Sequence, residues 1–118
     1  MAIPVHLHPS VDPSGKHARE ERLERCLAAC RNGDLREQMY LAGIFKPLIH
    51  SLAEKRAGGD LRVINHFCAR GREGLYEAAR NYRPKIGAGH FQVFALNFIE
   101  RAMDGPRPGF WKRFWSHP

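Results

Sequence analysis

Long hydrophobic runs are missing from this chain of 118 residues. No stretch reaches the roughly 18 consecutive apolar residues that a membrane-spanning helix needs, so no membrane span is expected. The opening segment "MAIPVHLHPSVDPSGK" lacks a basic stretch followed by an apolar one and does not read as a secretory leader; a cytoplasmic location is the expectation. Cysteine is scarce. Its three residues are an odd number without framework spacing, which suits free thiols in a reducing compartment. Valine and isoleucine are few, and no segment alternates apolar and polar residues, so a sheet architecture is not expected. Acidic residues are outnumbered, 12 against 19 Lys plus Arg, for a formal charge of +7. That balance points to a polyanionic partner, nucleic acid first and an anionic membrane surface second. A basic surface with no partner is the plain alternative.

What is present is helical periodicity, with 43% hydrophobic residues, enough for one modest core in one domain. Residues 1–15, with Pro4, Pro9 and Pro13, read as an extended arm closed by the turn "DPSG". Leu23, Cys26, Leu27 and Cys30 then fall on one face of a helix, with Glu20, Glu21, Arg22, Glu24 and Arg25 expected in water. Asn32-Gly33 ends it, and Asp34 is placed to cap the next. Leu41, Ile44, Phe45, Leu48, Ile49 and Leu52 form the stripe of a second helix, in which Pro47 should cause a kink or a split. Ala57-Gly58-Gly59 stops it, and Asp60 caps a third helix carrying Leu61, Ile64, Phe67, Cys68, Leu75, Ala78, Ala79 and Tyr82. Gly71 and Gly74 inside that helix predict either close approach of a neighbour or a break. After the loop "PKIGAG", Phe91, Phe94, Ala95, Phe98, Ile99 and Ala102 mark a fourth helix. The expected fold is all-α: a small bundle of four main helices over 16–104, an N-terminal arm, and a short aromatic helix or tail over 105–118.

Catalytic and metal chemistry find little support. Cys26 and Cys30 share a helix face and could join a histidine on zinc, but on an apolar stripe they read as small core hydrophobes. His6 and His8 would pay ordering entropy to chelate a metal from an arm. No nucleophile, base or cofactor loop stands out, so neither an enzyme nor a cofactor is expected. Lys85 and the glycines of "KIGAG" could cradle a phosphate, but the loop lacks the full phosphate-binding pattern and follows a helix rather than a strand. The tail "FWKRFW" places Phe110, Trp111, Phe114 and Trp115 on one helical face, with Lys112 and Arg113 opposite. It could dock in a groove, lie on a membrane interface or stack with bases. Folding back onto the bundle is favoured, because four exposed rings would form an unusually apolar patch.

The order of these pieces resembles region two of bacterial sigma factors. "RNGDLREQMYLAGIFKPLIHSLAEKRAG", "DLRVINHFCARGREGLYEAARNYRP" and "GHFQVFALNFIERAM" follow one another with nearly the family's spacing over about seventy residues. Gly71, Gly74, Leu75, Ala78, Tyr82 and Pro84 match its "G..GL..A...(F/Y).P" pattern; Phe91, Phe94, Ala95, Phe98, Ile99, Ala102 and Met103 match its last helix. The resemblance implies a transcription regulator whose partners are DNA, with the single-stranded promoter region among the options, and RNA polymerase or another regulatory protein. It implies nucleic-acid contacts at Lys85, His90, Phe94, Asn97, Phe98 and Arg101. Phe91, Phe94 and Ala95 go mainly to the core, while Asn97 and Arg101 are the leading contact candidates. The chain departs from the family where an acidic "DL.QEG" usually docks on polymerase and "HFCARG" stands here. The charge reversal at Arg70 opposes the usual partner. The helix-turn-helix of region four is not among these residues. The second expectation is therefore an interaction module, an adaptor or decoy, with partner contacts at His66, Phe67, Arg70, Arg72, Trp111 and Trp115.

Overall fold

The computed structural model describes residues 15–105. The arm residues before Gly15 and the tail residues beyond Gly105, including Trp111 and Trp115, lie outside the described residues. Four helices make up the fold: α1 (Lys16–Arg31), α2 (Leu35–Ala57), α3 (Leu61–Asn81) and α4 (Phe91–Asp104). Two short 3-10 turns, Pro84–Ile86 and Ala88–His90, join α3 to α4. Among the described residues there is no strand, and no helix is long and apolar enough to cross a membrane.

Local chemistry sets the boundaries. The Asp34 carboxylate accepts from the Glu37 N–H at 3.1 Å, and that of Asp60 from the Arg62 N–H at 2.9 Å, so both aspartates cap helix N-termini whose donors would otherwise be unpaired. Gly58 ends α2 at φ 65°, a left-handed value that costs glycine nothing.

Of the kink or split expected at Pro47, the split does not occur: the helix runs unbroken from Leu35 to Ala57. The carbonyl that Pro47 cannot satisfy belongs to Gly43, four residues back, and both residues are exposed. Water can therefore take up the orphaned group.

Gly71 and Gly74 resolve in favour of close approach. α3 is continuous, and among the described elements its packing against α4 is the most extensive. A Cβ on Gly74 would run into the Phe98 carbonyl and lie 2.9 Å from both Ala102 Cβ and Ile99 Cα. On Gly71 it would meet the Met103 methyl at 2.7 Å and Ile49 Cγ2 at 2.9 Å.

The core gathers Cys26, Leu27 and Cys30 of α1, Leu41, Phe45 and Ile49 of α2, Ile64, Leu75 and Ala78 of α3, and Phe91, Ala95 and Ile99 of α4, with Tyr82 behind α3. Phe91 anchors it, edge-on to Phe45 at 5.7 Å and to Tyr82 at 5.6 Å between ring centroids. Some stripe positions depart from the reading above: Leu61 is 62% exposed and Ile44 47% exposed, while Phe67, Cys68, Leu48, Phe94 and Phe98 are half-buried.

Candidate functional site

The expected contact residues of the last helix come together. His90, Phe94, Asn97, Phe98 and Arg101 stand at i, i+4, i+7, i+8 and i+11 and form one strip beside the buried face of α4. The core face (Phe91, Ala95, Ile99 and Met103) turns inward, so the strip lies on its flank. His90, Asn97 and Arg101 are exposed; Phe94 and Phe98 are half-buried. The Phe94 and Phe98 rings lie 5.1 Å apart at 50°, and the Arg101 guanidinium sits over the Phe98 ring at 5.3 Å. The strip is thus a short row of rings ending in a cation, with an amide at its edge. Lys85 is exposed in the first 3-10 turn, ahead of the helix.

Beside the strip, an open groove of about 540 Å³ runs between α3 and α4. Its floor is Gly74, Phe98 and Ala102, and Gly105 stands at the end where α4 stops. Arg70, Arg80 and Arg101 rim it together with Glu73 and Glu77. Of the two helix glycines only Gly74 lines the groove; Gly71 lies on the core side, against Met103 and Ile49. The resemblance pointed to Gly71 and Gly74 as a pattern; that they stand on different sides of the seam follows only from the packing.

The four residues expected to meet a protein partner within the described chain divide between two faces. Arg70 is half-buried, and its Nε donates to the Ala102 carbonyl at 2.9 Å, near the C-terminal end of α4. There its charge also opposes the negative end of that helix. His66 is exposed and edge-on to the half-buried Phe67, with ring centroids 5.6 Å apart. Arg72 points to the other side of α3, where with Lys46, His50, Asn65 and Cys68 it lines a smaller recess against α2.

Arg22 and Glu24, expected simply in water, are instead tied into the fold, and Arg56 is tied likewise. Arg22 of α1 holds Glu37 of α2 through two hydrogen bonds of 2.9 and 3.3 Å and stacks 4.0 Å from the centroid of the Tyr40 ring. The Arg22 guanidinium keeps the Glu37 carboxyl below its ordinary range. Glu24 accepts from the Tyr82 hydroxyl at 2.6 Å, and burial, then this bond, pushes that phenol up to about 12. Arg56 clamps Asp104 across α2 and α4 at 2.5 and 2.7 Å and holds that carboxyl low. Nothing in the local sequence announces these pairs, whose partners stand 15 to 58 positions apart.

Cys26 and Cys30 are buried in the core, and the Cys26 thiol donates to the Glu37 carbonyl at 3.3 Å. Burial, reinforced by Cys30, pushes the Cys26 thiol up to about 12, so it stays protonated and unreactive at neutral pH. Among the described residues no cluster of His, Cys, Asp or Glu could hold a metal ion.

Apolar side chains are also exposed on α2. Leu35, Met39, Tyr40 and Ile44 are 71%, 72%, 42% and 47% exposed, as two pairs on different flanks of the helix: Leu35 with Met39 on one, and Tyr40 with Ile44 on the flank toward α1, where they line a recess with Ala18, Arg22 and Leu23. The reading from sequence missed their exposure because Ile44 fits the core stripe by spacing alone, while Leu35, Met39 and Tyr40, three large side chains outside the stripe, were the signal. Comparison with family models, with curated proteins and with solved structures gives no match for the chain.

Proposed function

We propose that the protein is a sigma-region-two-like transcription regulator that binds nucleic acid along the outer flank of α4. One observation carries this reading: His90, Phe94, Asn97, Phe98 and Arg101 fall on a single accessible strip in which two adjoining rings are followed by a guanidinium. Rings and guanidinium planes offer stacking surfaces to unpaired bases, the amide offers hydrogen bonds, and the cation attracts phosphate. The formal charge of +7 favours the encounter with a polyanion. The strip is half-exposed rather than projecting, so it suits bases splayed out of a single strand better than the edges of paired bases. Glu73 and Glu77, on the α3 side of the groove, repel phosphate and bias a strand toward the α4 side.

Fluorescence anisotropy with labelled single-stranded and duplex DNA at two salt concentrations tests this. The expected result is micromolar or tighter binding, stronger for the single strand, with affinity falling as salt rises. Arg101→Ala should reduce the salt slope by about one, and Phe98→Ala should cost about 1–3 kcal/mol if one base stacks there. Absence of binding to either DNA at low salt would refute the reading.

A second reading is supported by the adjoining exposed pair Leu35 and Met39 of α2. Large apolar side chains in water on one flank of a helix are what a protein-binding module offers a partner. On this reading the chain keeps a sigma-like bundle and uses it as an adaptor or decoy. With Arg70 committed to the Ala102 carbonyl, polymerase would have to meet His66 and Phe67 rather than a free charge at that position. A pull-down with core polymerase, comparing the parent with Arg70→Glu and with Met39→Asp, separates the surfaces: loss with Met39→Asp places the contact on α2, and gain with Arg70→Glu places it on α3.

A further inference from the structure

On the flank where α2 meets α3, exposed apolar side chains and cations stand in one row. Leu35, Met39, Gly43, Lys46 and His50 recur at intervals of three or four residues along one side of α2. The row begins with the exposed Leu35 and Met39. One turn further it enters the recess between α2 and α3, a space of about 300 Å³. Ala42, Gly43, Ile49 and Cys68 give the recess its apolar lining, and Lys46, His50 and Arg72 stand around it. We infer that this flank docks an acidic, amphipathic segment of a partner protein, with its apolar side chains on Leu35, Met39 and the recess and its carboxylates on Lys46 and Arg72. The inference rests on the interaction-module reading and adds the chemistry of the partner to it.

Three features select that occupant. The first is charge. No Asp or Glu lines the recess, and no ion pair among the described residues uses Lys46 or Arg72. His50 alone has an acidic neighbour, Glu54 at 3.7 Å on its own helix. Carboxylates brought by a partner therefore meet two cations that the fold leaves uncompensated. The second is a backbone acceptor. Gly43 lines the recess, and Pro47 has no N–H to give its carbonyl. A polypeptide brings both carboxylates for the cations and N–H groups for this oxygen, whereas a phosphodiester backbone brings acceptors only. The third is the apolar end of the row. Leu35 and Met39 reward an apolar partner surface and offer a phosphate nothing. From Leu35 to His50 the row runs about 22 Å, the length of about four turns of a docked amphipathic helix. The recess shares no lining residue with the groove between α3 and α4, so a segment docked here leaves the strip of α4 open.

The probe is a fluorescein-labelled peptide of about sixteen residues, with Leu or Phe at every third or fourth position and Glu between them. Titrated with the 118-residue protein at low salt, it should bind in the micromolar range and weaken as salt rises. Two control peptides, one with Ser in place of Leu and Phe and one with Lys in place of Glu, should each bind about tenfold more weakly. Lys46→Glu with Arg72→Glu changes two exposed positions and should weaken the parent peptide about tenfold while helical circular dichroism stays constant. Arg25→Glu with Lys55→Glu, an equal change of charge at exposed positions away from the row, should leave the affinity as it is. A peptide that does not bind at low salt, or that both double variants weaken equally, would overturn the inference. So would single-stranded DNA whose binding is lost on reversing Lys46 and Arg72, since the flank would then hold phosphate. Polymerase capture that Met39→Asp abolishes, beside a peptide that does not bind, would overturn this inference alone and leave the interaction-module reading standing.

Discussion

The two helical pairs of this bundle are joined by different means. α3 and α4 approach closely at Gly74, which lies against the α4 backbone at Phe98, while Gly71 packs against the side chains of Met103 of α4 and Ile49 of α2. α1 and α2 share the apolar core and add polar contacts to it: the Arg22–Glu37 pair, the Arg22–Tyr40 stack, and the Cys26 thiol on the Glu37 carbonyl. Shape complementarity at contact distance admits one arrangement, because atoms cannot interpenetrate. Charge contacts at a wet surface tolerate small displacements and respond to pH and salt. The pair joined by shape carries the strip and the groove, where side chains must be held in register. The pair that adds charge contacts carries the exposed Leu35 and Met39 of α2.

This contrast can be broken by experiment, beginning where the effect is largest. Phe91 is fully buried among Phe45, Tyr82 and Phe94, so Phe91→Ala should cost about 4 kcal/mol in urea unfolding. Met39→Ala on the open face of α2 should stay within about 0.5 kcal/mol of the parent. Equal losses would show that α2 is covered in solution. Next, Gly74→Val should cost about 3 kcal/mol, because the obstructing atoms are backbone. Gly71→Ala should cost less, since the nearest obstacle is the free end of Met103.

The polar junction predicts a smaller effect with a definite sign. The carboxyls of Glu37 and Asp104 are held low by hydrogen bonds from Arg22 and Arg56. As pH falls below about 4, the unfolded chain takes up these protons first, so stability present above that point is lost. Cys26 and Tyr82 are raised to about 12, chiefly by burial. Their stability is present below the unfolded values, about 8.5 for the thiol and about 10 for the phenol, and is lost as pH rises through those values toward the folded ones. A melting temperature followed against pH should therefore show a plateau between these limits. Glu37→Gln should flatten the acid limb and leave the alkaline limb in place; an unchanged acid limb would remove Glu37 from the account. Smallest of all, Gly43→Ala should stabilise α2 by about 0.5–1 kcal/mol, because a Cβ there meets nothing within 4 Å. A loss of stability would mean that Gly43 relieves crowding by the Pro47 ring.

Much of the fold was legible residue by residue. The capping aspartates, the glycine stop at Gly58, the four apolar stripes and the inward Phe91 and Ala95 all follow from local rules that need no knowledge of neighbours. The strip on α4 was legible in part: Asn97 and Arg101 stand exposed as expected. That the strip also holds Phe94 and Phe98 half-open depends on how far α3 covers α4.

Local pattern by itself determined the class, all-α, and the ends of each helix, because hydrogen bonding within a helix and the placement of Asp, Gly and Pro act over a few residues. Only the tertiary structure decided that Pro47 leaves α2 whole, that Gly71 and Gly74 bring two helices together, that Arg70 turns inward to the Ala102 carbonyl, and that Arg22, Glu24 and Arg56 are tied across the bundle. Each of these depends on which atoms distant parts of the chain bring within reach, and hydrophobic periodicity is blind to that.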